Sequence, residues 1–234
     1  MLVELVKATG YNEVIQAART CKRSEGSDDA ALIDYLLRHN HLSPFEFLHF
    51  KFKISGVSRV LTHQLVRHRI ASYCQESQRS VTCEDVVLPG SMVEKVGKEK
   101  AKAMMALAFH HYGYLLSEGV PKEDARYVLP QAVTSTIMID INARSLMNFF
   151  NQRCCVKAHW EIKELAERMK DLAAYYRPDV FRYAGPPCKG YRPVCYEARP
   201  GEFACQKMKK SEAAPVFVNP EMPEDLMAWD FLRK

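Results

Sequence analysis

The segment Arg67-His68-Arg69-Ile70-Ala71-Ser72-Tyr73-Cys74-Gln75-Glu76-Ser77-Gln78-Arg79 concentrates arginines, a histidine, hydroxyls and amides, with almost no apolar filler. Such a run makes a poor core and a good anion site. The planar guanidinium binds phosphate or carboxylate through two parallel hydrogen bonds, and serine and glutamine add neutral donors. A solvated basic stretch has the same composition, so the rest of the chain must decide between the two.

Three further segments share this character. They are His41-Leu42-Ser43-Pro44-Phe45-Glu46, Asp124-Ala125-Arg126-Tyr127-Val128-Leu129-Pro130, and Asn142-Ala143-Arg144-Ser145-Leu146-Met147-Asn148-Phe149-Phe150-Asn151-Gln152-Arg153. Arg144 and Asn148 stand four apart and so share a helix face. Arginines and amides on several elements point to a composite pocket for a large polyanionic ligand.

The elements that carry these segments are legible from periodicity. Met1 to Lys7 reads as a strand. Asn12 to Lys22 reads as a helix with Val14, Ile15 and Ala18 on one side, and Asp28-Asp29 caps a helix running to Leu37. Pro44 takes Ser43 out of helical geometry. Phe45 to Ile54 alternates as a strand whose Leu48, Phe50, Phe52, Ile54 face is the more apolar. Ser55 and Gly56 then break the strand and introduce a helix over Val57 to Arg69. Gln64 and Arg67 share a face of it, and the rest of the basic motif continues as a loop.

Ser91 to Glu118 reads as one long helix stopped by Gly119, with Met104 among its buried candidates. Lys122 to Tyr127 is a helical turn, and Ala132 to Ile141 a strand rich in Val, Thr and Ile. Asn142 to Arg153 and Ala158 to Tyr176 are helices. The second is the most regular amphipathic helix of the chain, with Ile162, Leu165, Ala166, Met169, Leu172, Ala173 and Tyr176 as its stripe. Composition changes at Ala184, where a Pro- and Cys-containing tail begins. The simplest parse is one domain over residues 1–183 with a tail over 184–234.

Bulk properties narrow the class. With 234 residues, 47% hydrophobic and 26% charged, the chain is an ordinary globular protein with a sizeable core. A net charge of +5 is too balanced for a general nucleic-acid binder. No apolar run approaches a membrane span, and the charged N-terminus is no signal peptide. Eight cysteines are too few for a disulfide scaffold, which favours a reducing cytoplasm. Glycine-rich dinucleotide and nucleoside-triphosphate loops are absent, as are zinc-binding spacings, the Cys188, Cys195, Cys205 series included, so no metal is expected.

The four segments together resemble the flavin-dependent thymidylate synthases, whose signature reads R-H-R-x-x-S-x-N-x-x-S-x-R. Arg67, His68, Arg69, Ser72, Ser77 and Arg79 match it, and Cys74 stands where the pattern has asparagine. The H-x-[ST]-P-F-E, A-R-x-V-L-P and N-A-R-S-L-M-N-F…R…A-x-W-E-I segments follow in the family's order. The resemblance covers residues 1 to about 180.

The resemblance implies an α+β fold, an antiparallel sheet packed with long helices, and a cytoplasmic homotetramer with sites shared between subunits. It implies conversion of dUMP to dTMP with methylenetetrahydrofolate as carbon donor, FAD as cofactor and NADPH as reductant. No enzyme cysteine attacks the pyrimidine in that family.

Carried onto this chain, Arg67, His68 and Arg69 would hold FAD with Ser43, Asn142, Arg144 and Asn148, and Gln75 would face both ligands. Gln64 and Arg67 would contact dUMP from one subunit, and Glu76, Ser77, Gln78 and Arg79 from another, with Arg126. Arg153 would sit at the uracil ring and favour its N3-ionised form, and His41 would lie near flavin and folate.

The chain departs from the pattern at Cys74, at Phe47, at Ser80-Val81 and at Lys157. Two other readings of the same residues stay open: an FAD-binding relative with reduced methylation, and a nucleic-acid-binding module using the basic motif.

Overall fold

The computed structural model of the chain describes residues 1–82, 84–189 and 195, and the backbone of 216–218. It is an α+β protein. In chain order its elements are β1 (Leu2–Thr9), α1 (Tyr11–Lys22), α2 (Asp29–Arg38), a 3-10 turn at Ser43–Phe47, β2 (His49–Ser58), α3 (Arg59–Leu65), β3 (Ala71–Gln75) and β4 (Val86–Leu88). There follow α4 (Gly90–Val96), α5 (Lys98–Ser117), α6 (Lys122–Ala125), β5 (Thr134–Asn142), α7 (Ala143–Arg153), α8 (Trp160–Tyr176), α9 (Pro178–Phe181) and β6 (Val216–Val218).

The main sheet is antiparallel, with strand order β1-β2-β5-β3. A second sheet pairs β4 with β6 in antiparallel register, Val87 opposite Phe217. By internal packing the chain divides into two units. The first gathers Met1–Ile54, Gln64–Cys74 and the described residues of 137–208; the second gathers Ser55–His63, Gln75–Thr136 and β6.

In the first unit the core grows from the alternation expected of strands. Phe50, Phe52 and Ile54 of β2 and Ile137, Ile139 and Ile141 of β5 are all buried. On the opposite face, Asp140 of β5 accepts His49 Nδ1 at 3.1 Å and pairs with Lys51 Nζ at 3.3 Å, both from β2. Helices α7 and α8 supply Phe149, Phe150, Leu165 and Met169, each buried, and α9 supplies Phe181. Phe50 and Phe150 meet the Phe181 ring edge-on, at 5.2 and 6.0 Å between centroids. Asp28 caps α2 as its sequence suggests, its carboxylate accepting from Ala31 N at 2.9 Å.

The second unit has a smaller core, in which Val86, Leu88 and Ala101 pack with Met92, Val93, Met105 and Phe109.

Several sequence expectations are corrected. Phe45 to Phe47 form a 3-10 turn opened by Pro44, and β2 begins only at His49. Gly56, at φ 65°, lets the strand continue to Ser58 where a break was expected. Ser58 then starts α3, its Oγ accepting from Leu61 N at 3.1 Å. That helix ends at Leu65, so Arg67 lies beyond it and does not share its face with Gln64. The expected motif loop contains β3. Gly97, at φ 86°, divides the single long helix into α4 and α5, and Met104 and Tyr176 are exposed. The short strand β4 and helix α9 were not anticipated.

Gly10 is a fixed point of the first unit. It precedes α1 at φ 98°, and a Cβ there would stand 1.9 Å from the carbonyl oxygen of Phe47. Backbone must therefore move for any side chain to fit, over and above the cost of the left-handed conformation. Gly10→Ala is expected to destabilise the protein by about 2–4 kcal/mol. Urea denaturation measures this, and a change below about 1 kcal/mol would show that the turn yields.

Candidate active site

In the first unit, α3 ends at Leu65 and the chain turns through Arg67, His68 and Arg69 into β3. Tyr73 fastens this turn. Its hydroxyl lies 3.0 Å from the Leu65 carbonyl oxygen and 2.8 Å from that of His68, donating across the turn. Burial pushes the Tyr73 phenol up to about 12, so it remains a donor at every physiological pH. Tyr73 occupies an unspecified position of the motif, and sequence reading missed it. The signal was the alternation of β3, whose Ala71, Tyr73 and Gln75 are half-buried while Ser72 and Cys74 are exposed.

His68 and Arg153 are brought together although they lie far apart in sequence. Arg153 Nε donates to His68 Nε2 at 3.0 Å. A ring nitrogen that accepts is unprotonated, so the neutral imidazole carries its proton on Nδ1. The ring packs edge-on against Phe149, 4.9 Å between centroids. Burial, then the Arg153 charge, lower its pKa from 6.5 to about 4. Arg153 is the last residue of α7, where a cation suits the negative end of the helix dipole. Burial and the neighbouring Arg67 lower its pKa also, yet an arginine keeps its charge. The result is a half-buried guanidinium with a fixed orientation and a second cation beside it.

The other first-unit candidates lie on α7 and around the 3-10 turn. The Asn142 side chain caps α7, accepting from Ser145 N at 2.8 Å, so its oxygen serves the helix. Arg144 and Asn148 are both exposed on α7. Arg144 pairs with Glu46 at 2.5 Å, and Asn148 accepts from Gln152 at 3.3 Å. His41 and Ser43 line a largely apolar cavity of about 710 Å³, with Ala17, Tyr35, Pro44 and Phe47 among its walls. That is the size of a ligand pocket. Of its lining residues, Tyr35 and His41 each stack with the ring of His39, Tyr35 at 4.2 Å between centroids.

The second unit holds the remaining candidates. Gln75 Nε2 donates to Thr62 Oγ1 and Ser135 Oγ, both at 3.0 Å, so its amide nitrogen is committed to two buried hydroxyls. Glu76 takes both backbone groups of Thr136. Its N donates to the Thr136 carbonyl at 2.9 Å, and its carboxylate accepts from Thr136 N at 2.6 Å. Ser77 closes a turn, accepting through Oγ from Arg79 N at 3.3 Å and through its carbonyl from Ser80 N at 3.0 Å. Gln78 is half-buried beside it. Arg79 Nε meets the Glu123 carboxylate at 2.7 Å, and Arg126 Nε donates to the Glu123 carbonyl at 2.9 Å. Ser77, Arg79, Ser80, Pro121, Lys122 and Glu123 enclose a polar cavity of about 330 Å³.

Cysteine chemistry has little support. Burial pushes the Cys154 thiol up to about 12, which leaves it protonated, and Cys74 lies exposed on β3. Cys188 is a free thiol, and Cys205 lies outside the described residues.

The α+β fold thus carries a braced, half-buried arginine in one unit and, in the other, a polar cavity lined by serines, an arginine and a lysine, features of a class suited to small anionic ligands. The comparisons refine this class. The family model described as thymidylate synthase complementing protein matches residues 4–179. The chain is 44% identical over 191 residues to a flavin-dependent thymidylate synthase of Geobacter sulfurreducens, covering 75% of this chain and 82% of that protein. It is 41% identical over 205 residues to one of Nitratidesulfovibrio vulgaris, covering 82% and 81%. With one of Sulfolobus acidocaldarius it shares 45% identity over 156 residues, 65% of this chain and 60% of that protein. The chain belongs to the family of flavin-dependent thymidylate synthases. Among the described residues no helix is long and apolar enough to cross a membrane.

The neutral imidazole has a thermodynamic signature. Between about pH 6.5 and 4 the unfolded chain takes up a proton that native His68 refuses. Stability should therefore fall as pH drops through that window, and the contribution should level off below it. His68→Gln keeps an acceptor for Arg153 and cannot titrate. Its denaturation free energy should fall less steeply with pH than the parent's over this range, whereas identical slopes would mean that native His68 titrates normally.

Proposed function

We propose that this protein makes dTMP by FAD-dependent reductive methylation of dUMP, with methylenetetrahydrofolate as carbon donor and NADPH as reductant. The observation that carries the reading beyond family membership is the Arg153 guanidinium, desolvated and oriented by a neutral histidine.

A guanidinium in such a place stabilises negative charge far better than one in water. Set against the uracil ring, Arg153 favours the N3-ionised form and so raises the nucleophilicity of C5. Arg67, whose charge is felt at Arg153, adds to the same field. Because His68 fixes Nε, the remaining guanidinium nitrogens present to the ligand without further ordering.

The donor set fits FAD. Arg67, His68 and Arg69 form a cationic turn, Arg144 and Asn148 share an exposed helix face, and Ser43 and His41 edge the apolar cavity. These residues, with Asn142 and Gln75, would hold the cofactor, and the flavin, once reduced by NADPH, would supply the electrons of the methylation. Ser77, Arg79 and Arg126 would hold the nucleotide phosphate, with Gln64, Glu76 and Gln78 completing the dUMP contacts. A thiol as unreactive as Cys154, and no base gathered at Cys74 among the described residues, suit a mechanism without a covalent enzyme–pyrimidine bond.

The same reading includes a cytoplasmic homotetramer in which the Glu76 to Arg79 segment of one subunit completes the pocket of another. In it residues 1–183 carry the activity, and 184–234 form a tail.

Arg153→Ala is expected to reduce dTMP formation at least about 100-fold while the purified protein keeps its yellow flavin absorbance. Retained turnover would remove the role given to Arg153. Cys74→Ala should keep most of its activity in the same assay; complete loss in a folded protein would argue for thiol chemistry.

A further inference from the structure

In the second unit, the cavity beside Ser77 is lined by two cations and one anion. Arg79 and Lys122 carry positive charge, and Glu123 negative. The carboxylate holds Arg79 by its Nε at 2.7 Å, while Lys122 Nζ leans on Thr82 Oγ1 at 3.3 Å. Both partners of the Arg79–Glu123 pair are well exposed, 64% and 50% by side chain. An exposed pair of this kind contributes little to stability and exchanges readily. The Glu123 backbone is separately tied down, since its carbonyl accepts from Arg126 Nε. The side chain can therefore swing away while the loop keeps its place.

We propose that Glu123 is the resident counter-anion of this cavity, a specificity-determining residue that occupies Arg79 until a dianionic phosphate ester displaces it. The inference rests on the reading of this cavity as the nucleotide-phosphate site. Charge matching supplies the reason. A phosphate monoester carries close to two negative charges at neutral pH. Arg79 and Lys122 balance these fully only when the Glu123 carboxylate has left the guanidinium. A phosphate offers Arg79 a stronger, two-point contact in exchange for the single contact through Nε. A singly charged anion gains too little to force the exchange. Glu123 thus makes the site selective for the dianion, and lowers the apparent affinity of every phosphate by the cost of its own displacement.

The test is isothermal titration of the full chain with inorganic phosphate, dUMP and uncharged deoxyuridine, each near pH 8. Glu123→Gln removes the competing charge and preserves shape at an exposed position. It should bind inorganic phosphate about 3- to 10-fold more tightly than the parent, with dUMP following and deoxyuridine unchanged. Adding Arg79→Gln to that variant should erase the gain. Phosphate binding that is unchanged or weaker in Glu123→Gln overturns the proposal, because the carboxylate would then orient Arg79 and not compete for it. Tighter phosphate without tighter dUMP upholds the counter-anion role and overturns the assignment of the cavity to the nucleotide.

Discussion

Much of the first unit is arranged around one demand: Arg153 must find an acceptor that carries no charge. A carboxylate would neutralise the guanidinium, and water would screen it. A protonated imidazole would repel it. A neutral ring nitrogen fixes Nε while leaving the positive charge unspent. The surroundings keep His68 in that state. Helix α7 supplies both the Phe149 ring that packs edge-on against the imidazole and the Arg153 guanidinium from which it accepts. Tyr73 donates to the His68 carbonyl. A loop alone would not fix an imidazole to this tolerance, which is why a tyrosine from a strand reaches back across the turn.

The two units solve different electrostatic problems. In the first, charge is kept desolvated and oriented, with a second arginine close enough to depress the first. In the second, charge stays near water and is held provisionally by a carboxylate. The first arrangement suits stabilisation of charge that develops during a reaction, and the second suits capture of charge that arrives from solution.

The apolar framework was the most legible part of the sequence. The alternating faces of β2 and β5, the stripe of α8 and the cap at Asp28 followed from periods of two and 3.6 residues. What was illegible was set by single glycines and by tertiary hydrogen bonds. Nothing local distinguishes Gly56, which prolongs a strand, from Gly97, which ends a helix. The strand character of β3 is also hidden, because Ala71 to Gln75 contains no run of branched residues and is held by Tyr73 and Gln75 side chains. The arginine-rich segments announced an anion site, and family resemblance supplied the ligands. The pairing of Arg153 with His68 and the engagement of Arg79 by Glu123 had no signal in spacing, since each joins residues from distant elements.

The alternation of β3 divides the motif between two faces of one short strand. Its inward positions, Tyr73 and Gln75, are each bound at two points, while its outward positions, Ser72 and Cys74, lie on an edge strand of the main sheet. The side chains that tie the strand to its surroundings are therefore the inward ones. Cys74, on the outward face, takes no part in the hydrogen bonds by which Tyr73 fastens the turn that presents Arg67 to Arg69. The motif is two interleaved texts: the inward residues spell the scaffold, and the outward ones, which the family signature specifies, are written for whatever the exposed face meets.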